Sequence, residues 1–301
     1  MPRAIESFDF SDYDLVISVS HAVAKGARTS GRTEHLNICC SPIRYAWDLE
    51  EQYLEEAGLS RGLKGVAARA LLARIRAWDR RSADRPTRVL AISRFIAERV
   101  HRVWGRDSEV LYPPVETEYF GQPTGVAREH DLYVTASRFV PYKRIPLIVE
   151  AFAQMPTRRL VVIGDGPEMP KARAAATPNV TFQGRVPRAE LREWLQRARG
   201  FVFAAEEDFG IAPVEAMAAG TPVVAYGRGG ARETVVGEGE ARTGVFFEAQ
   251  SVEAIVDAVR RLEEAGVRST DCVARAELFS VAEFRRRVVG LTSGRGEAVG
   301  G

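Results

Sequence analysis

From residue 132 onward, short apolar runs recur along the chain, each followed by a loop rich in Gly, Pro or charged residues and most then by a helical pattern. Leu132–Ala136, Leu160–Ile163, Val180–Phe182, Gly200–Phe203, Pro222–Ala225 and Gly244–Phe247 read as strands, largely apolar rather than alternating, as buried parallel strands are. That alternation of strand and helix specifies an α/β fold with a doubly wound parallel sheet. Upstream the pattern is sparser. Leu15–Ser18, Leu36–Cys39, Val89–Ile92 and Val110–Tyr112 read as strands, with helices near Asp48–Ala57, Leu63–Ser82 and Arg94–Gly105. A mononucleotide-binding half usually opens on an apolar strand and a Gly-rich turn. This chain opens on a polar lead-in, so its first half is expected to be incomplete.

The Pro- and Gly-rich stretch YPPVETEYFGQPTGVAREH, 112–130, reads as a connector. The expected domains are 1–120, 121–281, and a closing segment 282–301. In that last segment FSVAEFRRRVVGL ends in a helix, and TSGRGEAVGG reads as a disordered tail.

With 301 residues and 46% hydrophobic content, the chain is long enough for two ordinary domains. Its 42 basic residues, almost all Arg, are balanced by 40 acids, which argues against a nucleic-acid binder. No apolar run is long enough to span a bilayer and the start lacks a signal-peptide pattern, so a cytoplasmic location is expected. Three cysteines suit a reducing compartment and form neither a disulfide framework nor a zinc pattern.

The most informative chemistry lies in EEDFGIAPVEAMAAGTPVVAYGRGG, residues 206–230. A strand ends at Phe203, a loop carries Glu207, and a helix over Ile211–Ala219 carries Glu215 and is closed by Gly220 and Pro222. A helix opening just after a parallel strand aims its free N–H groups at the carboxyl edge of the sheet, where phosphate binds. Taken alone, Glu215 is an ordinary dipole-favoured helix acid and Glu207 one acid of a solvated loop. A second cluster changes the balance: LYVTASRFVPYKRIPLIVEAF, 132–152, places Arg138 and Lys143 on one strand-to-helix loop. Cations there can neutralise a diphosphate without a metal. LVVIGDGPE (160–168) and NVTFQGRV (179–186) add Gly-bearing turns that should meet on the same rim.

These residues resemble the retaining, metal-independent nucleotide-sugar glycosyltransferases of the two-Rossmann-domain (GT-B) architecture, family four or group one. The match runs from about Phe8 to Arg287. SFDFSDYDLVISVSHAVAKG, PIRYAWDL and SRFVPYKRI look most like the mannosyltransferase-like members that build surface polysaccharide. The resemblance implies two Rossmann-like domains facing across a cleft, with the opening strand-helix-strand portion of the first one missing. It implies that Arg138 and Lys143 hold the donor diphosphate, that Glu207 and the Phe209-Gly210 backbone meet the donor sugar, and that Glu215 holds the ribose. The Gly184-Arg185-Val186 turn would lie beside the base. The expected catalytic set is Glu207, Arg138 and Lys143, and Gly164, Gly184, Arg185, Val186, Phe209, Gly210, Ile211 and Glu215 complete the donor site. No cofactor and no metal are expected, and the closing helix would cross back to the first domain.

The function expected is transfer of a hexose, mannose favoured, from a nucleotide-diphospho-sugar to a glycan or lipid-linked acceptor. The alternatives are a non-catalytic nucleotide-sugar-binding protein and a sugar-nucleotide epimerase on the same architecture. Asp12-Tyr13-Asp14 is formally a metal-binding D-x-D, but it precedes a strand and reads as a turn. The helix GLKGVAARALLARIRAWDRRSADR is basic and amphipathic. It can lie on an anionic membrane, giving peripheral contact, although packing of its apolar stripe on the core is the favoured reading. His21 reads as a structural residue more than a cleft-lining one. Where members resembling this chain carry a His facing the donor sugar, this chain has Cys40, expected as a buried small apolar residue.

Overall fold

The computed structural model describes residues 2–48 and 50–293. The chain divides into two compact units, Met1–Tyr112 and Pro113–Gly301. The division falls ahead of the 120/121 boundary expected from composition, because the connector packs on the end of the second unit: Val115 bridges Ser280, and its N–H bonds the Phe279 carbonyl at 2.8 Å. The expected disordered tail lies outside the described residues, except for Thr292 and Ser293, which end the last helix.

The first unit contains helix α1 (Pro2–Ile5), strands β1 (Leu15–Ser20) and β2 (Glu34–Cys39), helices α2 (Glu50–Glu56) and α3 (Gly62–Ser82), strand β3 (Arg88–Ala91), helix α4 (Arg94–Trp104) and strand β4 (Glu109–Val110). Its four strands are parallel and lie in the order β1-β2-β3-β4. Strand order never reverses, so this sheet has no topological switch point among the described residues. Cys39, Val89, Ala91, Ile96 and Val100 form a small core cluster. Helix α4 is well delimited: the Ser93 hydroxyl caps the Ile96 N–H at 3.0 Å, and Gly105 at φ 68° closes the other end.

A buried charge cage also ties this unit together. Lys25 and Asp79 pair in the interior, Asp79 accepts from the indole N–H groups of Trp47 (2.9 Å) and Trp104 (2.7 Å), and the ammonium lies over the Trp78 and Trp104 rings. The buried carboxylate is satisfied by three donors, as its desolvation requires. Two expectations are corrected here. The apolar stripe of α3 is not packed into the core: the buried residues of that helix are Gly65, Asp79 and Ser82, while Leu63, Val66 and Leu71 are 89%, 67% and 58% exposed. Cys40 is only half-buried, and its neighbour Cys39 is the one in the core.

The second unit runs α5 (Thr117–Gly121), β5 (Leu132–Ala136), α6 (Ile145–Ala153), β6 (Arg159–Ile163), α7 (Met169–Ala174), β7 (Val180–Gly184), α8 (Arg188–Arg197), β8 (Gly200–Phe203), α9 (Ile211–Ala218), β9 (Val223–Tyr226), α10 (Ala231–Thr234), β10 (Gly244–Phe247), α11 (Val252–Glu264), α12 (Ser269–Glu277) and α13 (Val281–Ser293). All six strands are parallel, in the order β10-β9-β8-β5-β6-β7. Numbered within the unit this is the Rossmann order, with the reversal between β5 and β8. Strands β8 and β9 are buried at every residue, as strands covered on both faces must be. Helix α9 ends in a Schellman motif: Gly220 at φ 76° bonds the Met217 carbonyl, and the Thr221 N–H bonds Ala216, both at 2.9 Å. Pro222, expected inside the following strand, precedes it.

Candidate functional site

In an open α/β sheet, ligands bind outside the carboxyl ends of the strands where the strand order reverses. Here that point lies between β5 and β8. The loop after β5 carries Arg138 and Lys143, and the loop after β8 carries Glu207. The structure brings Lys143 and Glu207 together as an ion pair, each only about one-sixth exposed. The ammonium also sits 5.9 Å from the Phe203 ring centroid. Arg138 is exposed on the same loop and has no ion-pair partner among the described residues.

The loop after β5 is held in place from two sides. Arg144 adopts φ 56°, ψ 31° and is the one non-glycine residue of positive φ among those described. Its guanidinium bonds Gln250 Oε1 at 3.2 Å, and Gln250 Nε2 bonds the Ala204 carbonyl at 2.7 Å. That relay fastens the strained turn to the end of β8, and such strain persists only when its surroundings enforce it. On the other side lies the Gly164-Asp165-Gly166 turn. Phe139 N–H bonds the Asp165 carbonyl (2.9 Å), Glu168 N–H bonds Phe139 (3.0 Å), and Gly164 N–H bonds the Gly184 carbonyl (2.7 Å). Gly164 sits at φ 123°, and a Cβ there would overlap the Ser137 carbonyl oxygen. The loops after β5, β6 and β7 thus share one rim.

Helix α9 starts directly at this rim. Gly210, at φ 87°, makes the turn into Ile211 and, as a glycine, gives the helix start no side-chain cap from the N-cap position. Pro213 contributes no N–H of its own, and Ile211 is exposed. The Phe209 ring is buried and meets Phe279 edge-on at 5.5 Å, so Phe209 offers the rim its backbone and not its side chain. Underneath, Gly229 and Gly230 press against Glu207 and Phe209 so closely that a Cβ on either would overlap backbone atoms. The Gly230 N–H bonds the Glu207 carbonyl at 2.8 Å. Sequence reasoning assigned these two glycines no role, since what they clear is space for a neighbour distant along the chain.

Glu215 lies one turn into α9 and is half-buried. Burial pushes its carboxyl above the ordinary range; Arg188 pulls it back down and Glu116 adds to the rise. Arg188 opens α8 directly after the Gly184-Arg185-Val186 turn, pairs with Glu116, and stacks on the Tyr119 ring at 4.6 Å. Gly184 is at φ 68° after a register shift between β6 and β7, Arg185 is exposed and Val186 half-buried. Arg188 thereby links the turn expected beside a base to the carboxylate expected on a ribose. Sequence reasoning passed over it, although its place just after Pro187 at a helix start was a usable signal.

Among the described residues, no group of three or more His, Cys, Asp or Glu side chains converges in a way that could hold a metal, and no helix is long and apolar enough to cross a membrane. Asp12-Tyr13-Asp14 lies in the turn ahead of β1, and His21 is exposed at that strand's end.

A parallel sheet of Rossmann order, with cations, a glycine-led helix start and a paired carboxylate at its switch point, defines a doubly wound α/β protein with a candidate anion-binding rim. Residues 120–279 match the family described as glycosyl transferases group 1, and the chain belongs to that family. It is 31% identical over 212 residues to a GDP-mannose-dependent alpha-(1-6)-phosphatidylinositol monomannoside mannosyltransferase of Mycobacterium tuberculosis, covering 61% of this chain and 54% of that one. A D-inositol 3-phosphate glycosyltransferase of Frankia alni is 34% identical over 154 residues, 42% of this chain and 38% of that one. The chain therefore spans about half the length, or less, of these curated relatives. In fold it is similar to sucrose-phosphate synthase from Thermosynechococcus elongatus, with a TM-score of 0.72 and 19% identity over 93% of this chain and 73% of that one. The two parallel α/β units fit the GT-B architecture.

Proposed function

We propose that the chain is a retaining glycosyltransferase that moves a hexose, mannose before others, from a nucleotide-diphospho-sugar to a glycan or lipid-linked acceptor, with no metal ion. The supporting observation is the meeting of Lys143 and Glu207 at the switch point of a Rossmann-ordered sheet, in a chain of this family. Mannose from GDP-mannose is preferred because the mycobacterial relative is named for that donor.

The pair gives Glu207 two states. Without ligand its carboxylate is satisfied by the Lys143 ammonium. When a diphosphate takes that ammonium, Glu207 becomes an acceptor for sugar hydroxyls, and the exchange leaves neither group without a hydrogen-bond partner. The first amides of α9 take the remaining phosphate oxygens. Glu215 accepts from the ribose, and the Gly184-Arg185-Val186 turn lies along the base. In the transfer step, the acceptor hydroxyl approaches the anomeric carbon from the face the diphosphate is leaving. The bond from that carbon to the leaving oxygen breaks as the new carbon–oxygen bond forms, and the leaving diphosphate takes the hydroxyl proton. Arg138 and Lys143 stabilise the charge that develops on the diphosphate, the interaction that strengthens in the transition state. The protein works in the cytoplasm, at the inner membrane surface when the acceptor is lipid-linked.

Calorimetric titration with GDP and GDP-mannose tests this, with and without EDTA. Equal affinity under both conditions is expected. A strict requirement for Mn²⁺ or Mg²⁺ would move the phosphate chemistry away from the two cations and overturn the proposal.

A further inference from the structure

The first unit contains a cavity of about 780 Å³, within the size range of small-molecule sites. Ile43, Leu71, Ile75 and Trp78 line it, and helix α3 forms one wall. Around it stand three guanidiniums, Arg3, Arg74 and Arg81, each exposed and none with an ion-pair partner among the described residues. In a chain whose arginines mostly bond carboxylates or carbonyls, three unengaged ones around a single apolar cavity form a distinct feature. The carboxylate nearby, Glu6, is already engaged: it accepts from the Trp78 indole (2.8 Å) and from Arg85 (2.6 Å), with Arg28 at 3.4 Å. The local charge is therefore positive and available.

The apolar surface continues beyond the cavity. Positions 63, 67, 71, 75 and 78 fall on one side of α3 by helical spacing, and Leu63 and Leu71 on that side are exposed. From 63 to 78 this strip is about 22 Å long at 1.5 Å per residue. An apolar slot leading into a cavity ringed by guanidiniums fits a molecule with a long apolar tail and a compact anion of more than one charge. Guanidinium forks match phosphate geometry, and a doubly charged head uses more than one of them.

We propose that this cavity binds one monomer of an anionic single-chain amphiphile of the alkyl phosphate type. The site is built from residues of the first unit alone and would stand if the donor reading failed. The 301-residue chain would be titrated calorimetrically with dodecyl phosphate below its micellar concentration, with dodecyl maltoside as the neutral analogue and inorganic phosphate as the isolated head. Dodecyl phosphate is expected to saturate one site, with the neutral analogue and inorganic phosphate at least about tenfold weaker. Arg74→Glu combined with Arg81→Glu should weaken binding at least about tenfold, since two attractive charges become repulsive. Leu71→Glu, on a side chain already exposed, should do the same by closing the apolar entrance; circular dichroism checks that both variants keep the fold. Equal affinity for the neutral analogue would overturn the proposal, as would unchanged binding in both variants. Adsorption to anionic vesicles without saturable monomer binding would replace it with attraction to a charged surface.

Discussion

Replacing Gly164 by Ala tests whether the loops after β5, β6 and β7 form one rim. The residue sits at φ 123°, where an L side chain is strained, and the added methyl would overlap the Ser137 carbonyl oxygen and lie 3.0 Å from the Phe139 ring. The conformational part costs about 1–3 kcal/mol. Overpacking against backbone that cannot swing away adds about 1–3 kcal/mol. Relief of the overlap requires Ser137 to move, and Arg138 moves with it. Gly184→Ala is the internal control: it has a positive φ of 68° but nothing within 4 Å of its Cβ, so only a conformational cost of about 1–2 kcal/mol applies. Urea unfolding followed by circular dichroism should show a lower midpoint at unchanged slope for Gly164→Ala, well below that of Gly184→Ala. GDP affinity should also fall in the first variant by more than in the second. If Gly164→Ala unfolds within about 0.5 kcal/mol of the parent, the level of an ordinary surface substitution, the shared rim is wrong.

Lys143→Ala should weaken GDP binding by about 1–3 kcal/mol, and Lys143→Ala with Glu207→Ala should restore stability lost by leaving Glu207 unpaired; additive losses in a double-mutant cycle would show that the pair does not matter. Glu207→Ala should reduce transfer and GDP-mannose binding while sparing GDP, whereas Glu215→Ala should weaken both by a similar amount of about 1.5–3 kcal/mol; parent-like binding in both variants would return the two acids to a solvated loop and a helix-dipole role. Because Glu215 titrates above the ordinary carboxylate range, GDP affinity should decline on acidification earlier than in a site of unshifted carboxylates, and Glu215→Gln should remove that decline. In the first unit, burial lowers His35 from 6.5 to about 4, with its Nε2 against the Ser18 hydroxyl at 2.7 Å. The unfolded chain then binds the proton more readily than the folded one. Stability is full above pH 6.5 and is lost as pH falls towards 4, by about 3 kcal/mol at most; an equal slope in His35→Leu would assign the loss elsewhere.

Most of what positions the candidate rim of the second unit is legible in the chain itself. Buried parallel strands declare themselves as apolar runs, so β5, β8 and β10 begin and end where their residues say they should. Gly220 followed by Pro222 marks a helix end by backbone chemistry alone. Arg138, Lys143, Glu207 and Glu215 stood out as candidates because segments that follow parallel strands share one sheet edge whatever the strand order is, and the family resemblance supplied their expected roles. Tertiary structure decided the rest. Only the order β10-β9-β8-β5-β6-β7 puts the loops of Lys143 and Glu207 at the reversal point and makes them partners. Strand order depends on which helices cross over which strands, a long-range choice that local patterns do not carry. Lys25 and Asp79, fifty-four positions apart, gave no sign of forming a buried pair, because each is common on a surface and their burial depends on Trp47 and Trp104 arriving from elsewhere in the chain. The stripe of α3 shows the opposite failure. Its periodicity announces an apolar face, but whether that face meets a core, a cavity or solvent depends on how the neighbouring elements close around it.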